Sequence, residues 1–324
     1  MLSVMQIGYG YWGNNVAKKL LTSGMFRFVC LAEQDERKRE TARKNLPESV
    51  AVTEDYHEWL DRVEAVVICT QTQFSYDIAV TAMEQGKHVF TEKPLAVNVE
   101  KAEKLVAKAE EKQVVLHCDH LMVYNPVIRY IKNMIDSGEL GDIMYIDVSR
   151  VNLGPIRKDI NAMLDLAVHD IAVIDYLVDG LVPDRLNAVG SSFFGKQETI
   201  TYLTMKRGNL LININSSWIS PVKIRRTMIA GTKKMVIFDD MKNDKLRVYD
   251  SGIDVQQGDT YGNYEYLTRA GNISIPHITN EDSLQNSIEY FGECVRTGRE
   301  SLSGPKQSLR VMNILERAQE SLKY

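Results

Sequence analysis

An apolar, strand-like stretch, Val4-Met5-Gln6-Ile7, runs straight into Gly8-Tyr9-Gly10-Tyr11-Trp12-Gly13, and an amphipathic helical pattern follows over 14–23. Strand, glycine turn and helix in that order build a dinucleotide site. Gly8 permits the tight turn and Gly10 lets backbone approach a pyrophosphate with no side chain between. Gly13 allows the helix to pack closely on the strand, and the helix N-terminus favours negative charge. A GxGxxG string alone is a weak signal, so its context has to carry it. Here the next apolar stretch, 26–32, ends at Glu33, twenty residues after Gly13. A carboxylate at that point accepts both ribose hydroxyls of an adenosine and repels a 2′-phosphate, which selects NAD over NADP.

A chain of 324 residues exceeds the size at which one core keeps growing, so two domains are expected. Residues 1–120 alternate strand and helix patterns, the sign of a parallel sheet with crossover helices. Strands are expected at 3–7, 27–32, 65–69, 87–90 and 113–117. Helices are expected at 13–23, 35–45, 75–85 and 99–111, the last with Ala102, Leu105, Val106 and Ala109 at helical spacing. Gly86 stands where a helix cap belongs. A helix over 121–136 closes at Ser137-Gly138, and the character then changes. Alternating strands at 143–153, 185–194, 198–206, 209–218, 224–230, 233–239 and 245–250, with helices at 162–178, 282–297 and 306–322, predict a second domain on an antiparallel or mixed sheet. The fold class is α/β: a Rossmann domain over 1–120, then an α+β domain over 121–324. Residues 251–280 are polar, contain Gly258, Gly262 and Gly271, and read as a loop with some extended structure.

A net charge of −4 with 44% apolar residues gives no basic excess for a nucleic-acid partner. No apolar run approaches membrane-spanning length, and residues 1–7 read as a first strand rather than a signal peptide. Cys30, Cys69, Cys118 and Cys294 are scattered, with no metal-ligand spacing, and read as buried thiols in a reducing cytoplasm. One face of a large antiparallel sheet needs cover, so a homodimer or homotetramer is expected.

Thr91-Glu92-Lys93-Pro94 follows directly on the strand at 87–90. Ligands of doubly wound sheets bind beyond the carboxyl ends of the strands, which puts Lys93 at the cofactor crevice, its backbone fixed by Pro94. A lysine desolvated there acts in proton transfer. For an arbitrary lysine beside a turn proline the surface reading would prevail; position at the strand end reverses that preference. Within the helix at 162–178, Asp165 and His169 are four apart and share one face, where the carboxylate can orient the imidazole or hold a substrate hydroxyl. The spacing is unremarkable by itself, and an isolated helical histidine is more often structural. Asp170 points elsewhere and reads as an ion pair or cap.

With the glycine loop, Glu33, the stretch Gly86 to Leu95 around Glu92-Lys93-Pro94, and Asp165-Leu166-Ala167-Val168-His169-Asp170 in that order, the chain resembles the Gfo/Idh/MocA family over essentially its whole length. The resemblance implies a Rossmann domain that binds a nicotinamide cofactor, and a second domain, on an open, mainly antiparallel sheet, that binds a sugar or polyol. It implies Lys93, Asp165 and His169 as the catalytic set, with the base not assigned to one alone. The cofactor set it implies is Gly8, Gly10, Tyr11, Trp12, Gly13, Glu33, Thr70, Gln71, Glu92 and Lys93, with NAD as the cofactor. Family members often carry a proline and a histidine after the strand ending at Cys69-Thr70; Gln71 and Ser75 stand there in this chain, and a cofactor contact from that histidine does not carry over.

Tyr124-Asn125-Pro126, Asn152-Leu153-Gly154, Arg157 to Asn161 and Ser220 to Arg226 are similar to the branch of nucleotide-sugar C3 dehydrogenases of the UDP-N-acetylglucosamine type. The implied substrate contacts are Lys93, Tyr124, Asn125, Arg157, Asn161, Asp165, His169 and Arg225. A nucleotide diphosphate needs cations, and Arg157, Lys158, Arg225 and Arg226 are candidates. The alternatives are a free inositol or sugar as substrate, or an NAD-binding regulator without turnover.

Overall fold

The computed structural model describes residues 1–257 and 264–323. Contacts divide the chain into two compact units, Met1–Asn125 with Glu281–Asn313, and Pro126–Asn280 with Ile314–Tyr324. A single cut near residue 120 therefore does not describe the packing, because residues 281–313 belong with the first unit.

The first unit is a six-stranded parallel sheet: β1 (Leu2–Ile7), β2 (Phe26–Ala32), β3 (Ala51–Thr53), β4 (Ala65–Ile68), β5 (His88–Thr91) and β6 (Leu116–Cys118), in the order β3-β2-β1-β4-β5-β6. The order reverses between β1 and β4, which is the ligand crevice of a Rossmann sheet. Helices α1 (Tyr11–Thr22), α2 (Glu36–Asn45), α3 (Thr72–Glu84) and α4 (Val99–Lys112) are the crossovers. Both faces are buried, as a parallel sheet requires. Met5, Ile7, Val66 and Ile68 pack with Ala79, Met83, Ala102 and Leu105 of α3 and α4. Val4, Ala65 and Val67 face the other way, with Val16 and Leu20 of α1. That second layer is completed from far along the chain by Leu284, Ile288 and Phe291 of a helix spanning Ser283–Thr297, with Phe291 stacked on Phe26 at 5.9 Å. The strand at 51–53 was not expected; it is three residues long and only partly buried, too short to show a period.

The expected helix over 121–136 is broken. A 3₁₀ turn covers Leu121–Tyr124, Asn125 is extended, and α5 (Pro126–Asp136) begins at the proline. Proline excludes the α conformation from the residue before it and suits a first helical position. Gly86 does take the left-handed conformation after α3, at φ 71°.

The second unit carries eight strands: β7 (Ile143–Leu153), β8 (Arg185–Ser191), β9 (Ile200–Arg207), β10 (Leu210–Ser217), β11 (Ile219–Gly231), β12 (Met235–Asp239), β13 (Leu246–Gln257) and β14 (Tyr264–Ser274). Their order is β14-β13-β12-β11-β7-β10-β9-β8, and every pairing is antiparallel except β7 with β10. Alternation along β9 and β10 buries Leu203, Met205, Ile212 and Ile214, while Tyr202 and Leu211 face out. α6 (Val168–Leu177) is continuous with a π-helical opening turn, Met163–Ala167. The Ser283–Thr297 helix is α7, and α8 (Pro305–Ser321) follows.

β11 begins at Ile219, five residues earlier than expected, because its register with β7 shifts between Ile219 and Ile224 across Pro221; proline in a strand is accommodated at such an irregularity. Residues 251–280 hold more extended structure than expected, with 275–280 alone among the described ones outside any regular element. Most of them form the β13 and β14 ribbon, paired from Val248 with Ser274 to Gln257 with Tyr264. Ile253 and Val255 are exposed together with the polar residues between them, so no buried face wrote an alternating pattern. Gly258 and Gly262 lie outside the described residues. Among the described residues, no helix is long and apolar enough to cross a membrane.

Candidate active site

The glycine loop is fitted to its neighbours atom by atom. Gly8 sits at φ 98°, and a Cβ there would stand 2.7 Å from Cys69 O; a Cβ on Gly13 would stand 2.6 Å from Gly8 O. A Cβ on Gly10 would meet nothing within 4 Å, so that position opens on free space. Gln6, fully buried at the end of β1, clamps the loop by donating Nε2 to Gly8 O and Gly13 O, both at 2.8 Å. Gly10 is the N-cap of α1, and no side chain caps the first helical N–H groups. Tyr11 is 90% exposed on that first turn. The residues fit a dinucleotide: an uncapped helix N-terminus beside an open glycine is an anion site.

Glu33 closes one side of the loop. Its Oε2 accepts from Tyr9 N at 2.7 Å and its Oε1 accepts from Asp35 N at 3.0 Å. The carboxylate beyond β2 is thus held beside the loop beyond β1, where an adenosine ribose reaches both.

The carboxyl edge of β4, β5 and β6 gathers polar atoms. Thr70 Oγ1, Glu92 Oε1, Asp119 Oδ2 and both ring nitrogens of His120 are buried with no hydrogen-bond partner among the described residues. Buried polar groups are normally paired, so a cluster of orphans at one sheet edge marks a ligand position. Gln71 stands at the N-cap position of α3 without a side-chain capping bond, and Gln73 donates to its Oε1 at 3.2 Å. The indole of Trp12 hydrogen-bonds Glu92, whose carboxyl burial and the charge of Asp119 push well above the usual range. The Lys93–Pro94 peptide is cis. Burial lifts the Asp119 carboxyl to about 7, opposed by Ser287 and by the charge of Lys93. Burial, then the charge of Lys93, pushes His120 down to about 4. Asp119, His120 and Gln6 were missed in the sequence; the strand-end rule that singled out Lys93 applies equally to Asp119, directly after β6.

In the second unit, Asp165 lies in the π turn, a wider coil than the α-helix, so the four-residue spacing to His169 is not one plain α-helical turn. Its carboxylate accepts from Trp218 Nε1 at 3.2 Å and from Arg157 at 3.4 Å. Trp218 is another residue the sequence did not single out. Arg157 also binds Asp159 at 2.6 and 3.1 Å. Asp170 is the expected ion pair: Arg150 on β7 donates to both its oxygens at 2.8 and 2.7 Å in a buried setting. Arg225 stands 3.8 Å from Asp240.

Three of the expected substrate contacts are buried among core residues. Asn161 is fully buried; its Oδ1 accepts from Leu164 N at 3.0 Å, and its Nδ2 donates to Glu198 and Gln319 at 2.9 and 3.1 Å, so its amide starts the π turn. Tyr124 is fully buried in the first unit, its ring stacked 5.6 Å from His117 and its hydroxyl accepting from Ser303 N at 3.3 Å. Asn125 beside it is buried as well. No group of three or more His, Cys, Asp or Glu among the described residues forms a metal cluster.

Fold and strand-end residues together define a nucleotide-binding protein of the Rossmann class carrying a second unit on a mainly antiparallel sheet. The chain belongs to the Gfo/Idh/MocA family. Residues 2–120 match its oxidoreductase model with an NAD-binding Rossmann fold, and residues 128–237 match its C-terminal domain. The UDP-N-acetylglucosamine 3-dehydrogenase of Acidithiobacillus ferrooxidans is 29% identical over 196 residues, 60% of each chain. The scyllo-inositol 2-dehydrogenase (NAD(+)) of Bacillus subtilis is 24% identical over 311 residues, 90% of this chain and 86% of that one. A solved structure of the Acidithiobacillus ferrooxidans enzyme has the same fold, with a TM-score of 0.83 at 21% identity, covering 99% of this chain and 98% of that one. The chain spans 57–60% of the length of three of the curated relatives it matches.

Proposed function

We propose that the protein is an NAD-dependent oxidoreductase that moves a hydride between a secondary hydroxyl of a sugar and nicotinamide, with C3 of a nucleotide sugar such as UDP-N-acetylglucosamine as the reacting carbon. The observation that carries the reading is the bond from Tyr9 N to Glu33 Oε2 at 2.7 Å, which joins the ribose-binding acid to the pyrophosphate loop. Nicotinamide, when bound, supplies the hydride acceptor or donor. One of Lys93 and His169 takes the proton of the substrate hydroxyl, at Nζ or at the imidazole, and Asp165 orients the imidazole or a hydroxyl. General-base assistance of this kind is worth about 10²–10⁴ in rate.

The nucleotide-sugar reading rests on exposed cations of the second unit, Lys158, Arg225 and Arg226, and on the relative that shares 29% identity. A free inositol or sugar is the second reading, favoured by the inositol dehydrogenase match over 90% of this chain. The outward Tyr202 and Leu211 of the sheet support a homodimer or homotetramer, and four free cysteines suit a reducing cytoplasm.

A thermal-unfolding screen separates the substrates, because a ligand stabilises by the logarithm of its excess over Kd. With NAD present, UDP and UDP-N-acetylglucosamine raise Tm on the first reading. A rise with scyllo- or myo-inositol and none with UDP or UDP-sugars favours the second. NAD alone raising Tm, with no turnover on any sugar, points to a regulator.

A further inference from the structure

The loop between β8 and β9 runs Ser192-Phe193-Phe194-Gly195-Lys196-Gln197-Glu198-Thr199, and its two adjacent phenylalanines are 62% and 58% exposed. A single exposed apolar residue needs no explanation, but two neighbouring rings at one turn do. The chain turns at Gly195, which takes the left-handed conformation at φ 90°. Below the turn the hairpin is fixed. Thr199 is fully buried; its backbone N–H donates to Ser191 O at 2.9 Å, and its Oγ1 accepts from Phe193 N at 3.4 Å.

Three bonded connections fasten this hairpin to the surroundings of Asp165. Thr199 O accepts from Trp218 N at 3.0 Å, and the Trp218 indole donates to the Asp165 carboxylate at 3.2 Å. Glu198 O accepts from Ala162 N at 3.0 Å and its carboxylate from Asn161 Nδ2 at 2.9 Å, at the start of the π turn that carries Asp165. Gln197 Nε2 donates to Lys158 O at 3.5 Å, and Arg157, one residue before, lies 3.4 Å from Asp165. Four chemistries therefore follow one another at this end of the second sheet: the Asp165 carboxylate, the Arg157 guanidinium beside it, the exposed Lys158 next along the chain, and the aromatic tip tied to Lys158 through Gln197. A nucleotide sugar has the same order, read outward from its carbinols: hydroxyls, diphosphate, base.

We propose that Phe193 and Phe194 are the stacking platform for the base of a nucleoside diphosphate whose diphosphate lies on Arg157 and Lys158. The proposal rests on the nucleotide-sugar reading above and adds to it the place of the base. Every base has a π-face, so such a platform supplies affinity without choosing among bases. A free inositol has neither base nor diphosphate and would leave both rings in water. A second protein chain seated on the tip would have to desolvate Lys158 and Lys196, both exposed, beside the rings, and the cores of protein interfaces are depleted of lysine. A diphosphate instead pairs with those cations.

The test is calorimetric titration of UDP into the full chain with saturating NAD, which fills the glycine loop. Phe193→Ala combined with Phe194→Ala weakens UDP binding by about fivefold to a hundredfold, the worth of one stacked base. Phe193→Tyr combined with Phe194→Tyr keeps the rings and stays close to wild type. Pyrophosphate, which lacks a base, binds wild type and the double alanine variant alike, whereas Lys158→Ala weakens UDP and pyrophosphate together. UDP affinity unchanged in the double alanine variant, or pyrophosphate affinity lost in the same proportion as that of UDP, overturns the platform and leaves the nucleotide-sugar reading standing. A double alanine variant that sediments as a smaller species with UDP affinity unchanged overturns it too, and makes the tip a subunit contact. Wild type that binds no UDP overturns the nucleotide-sugar reading itself, and the platform with it.

Discussion

Glu33 Oε2 accepts the backbone N–H of Tyr9 at 2.7 Å, so the acid that ends β2 is bonded to the loop that follows β1. One side chain therefore does two things. It fixes the glycine loop and, on the proposed reading, presents a carboxylate to the ribose, and Glu33→Ala removes both. A hydrogen bond to a charged group is worth about 1.5–3 kcal/mol, so NAD affinity falls by roughly tenfold or more while the preference against NADP shrinks. Calorimetric titration of both cofactors into wild type and variant measures this.

Lys93→Met and His169→Ala each lower turnover by about 10²–10⁴. NAD binding, followed by cofactor fluorescence, stays within a few-fold. Near-normal turnover in both variants removes these residues from the proton transfer.

Arg150 and Asp170 form a buried, two-bonded ion pair between β7 and α6. Removing one partner leaves an uncompensated buried charge, which costs about 3–5 kcal/mol. Asp170→Ala therefore unfolds at markedly lower urea. Arg150→Met with Asp170→Leu recovers much of the loss, since an apolar pair leaves no charge behind. Equilibrium urea melts of the single and double variants check both.

Stability depends on pH through the buried groups His117, Asp119 and His120 at the end of β6. His117 and His120, pushed down to about 3 and about 4 by burial, refuse protons that the unfolded chain binds below its ordinary histidine value, near 6.5. Folding is therefore weakened as pH falls from about 6.5 towards 4, by about 1.4 kcal/mol for each unit of separation. Asp119 acts with the opposite sign: folded, it holds its proton to about 7, against an ordinary value of 3.8, so its contribution is lost as pH rises across that range. Asp119→Asn removes the opposing term, and its urea midpoint rises more steeply from pH 4 to 6.5 than that of wild type. Parallel curves for the two proteins contradict this.

The parts legible in the sequence are those with a one-dimensional signature. Each crossover helix of the first unit is read to within about three residues at either end, because buried faces impose periods of two and 3.6. Lys93 and Glu33 are readable because strand ends are where ligands bind. Hidden were features set by distant chain: α7 returning from 283–297 to cover β1 and β2, Ser287 reaching Asp119, and Trp218 reaching Asp165. Asn161 and Tyr124 show the reverse error, since family-like stretches carry residues that this fold uses for packing. The start of β13, with Leu246 and Val248 buried, was read as a strand over 245–250, but its continuation from 251 and β14 escaped because strands exposed on both faces have no hydrophobic period to read.

Hydride transfer from a sugar carbon is followed by isotope tracing. UDP-N-acetylglucosamine deuterated at C3 is incubated with the protein and NAD, and the reduced cofactor is weighed by mass spectrometry. Deuterium is expected in the nicotinamide, and its transfer is abolished by Lys93→Met. Tight NAD binding with no deuterium transferred from this sugar, or from inositols labelled at their carbinol carbons, would contradict it.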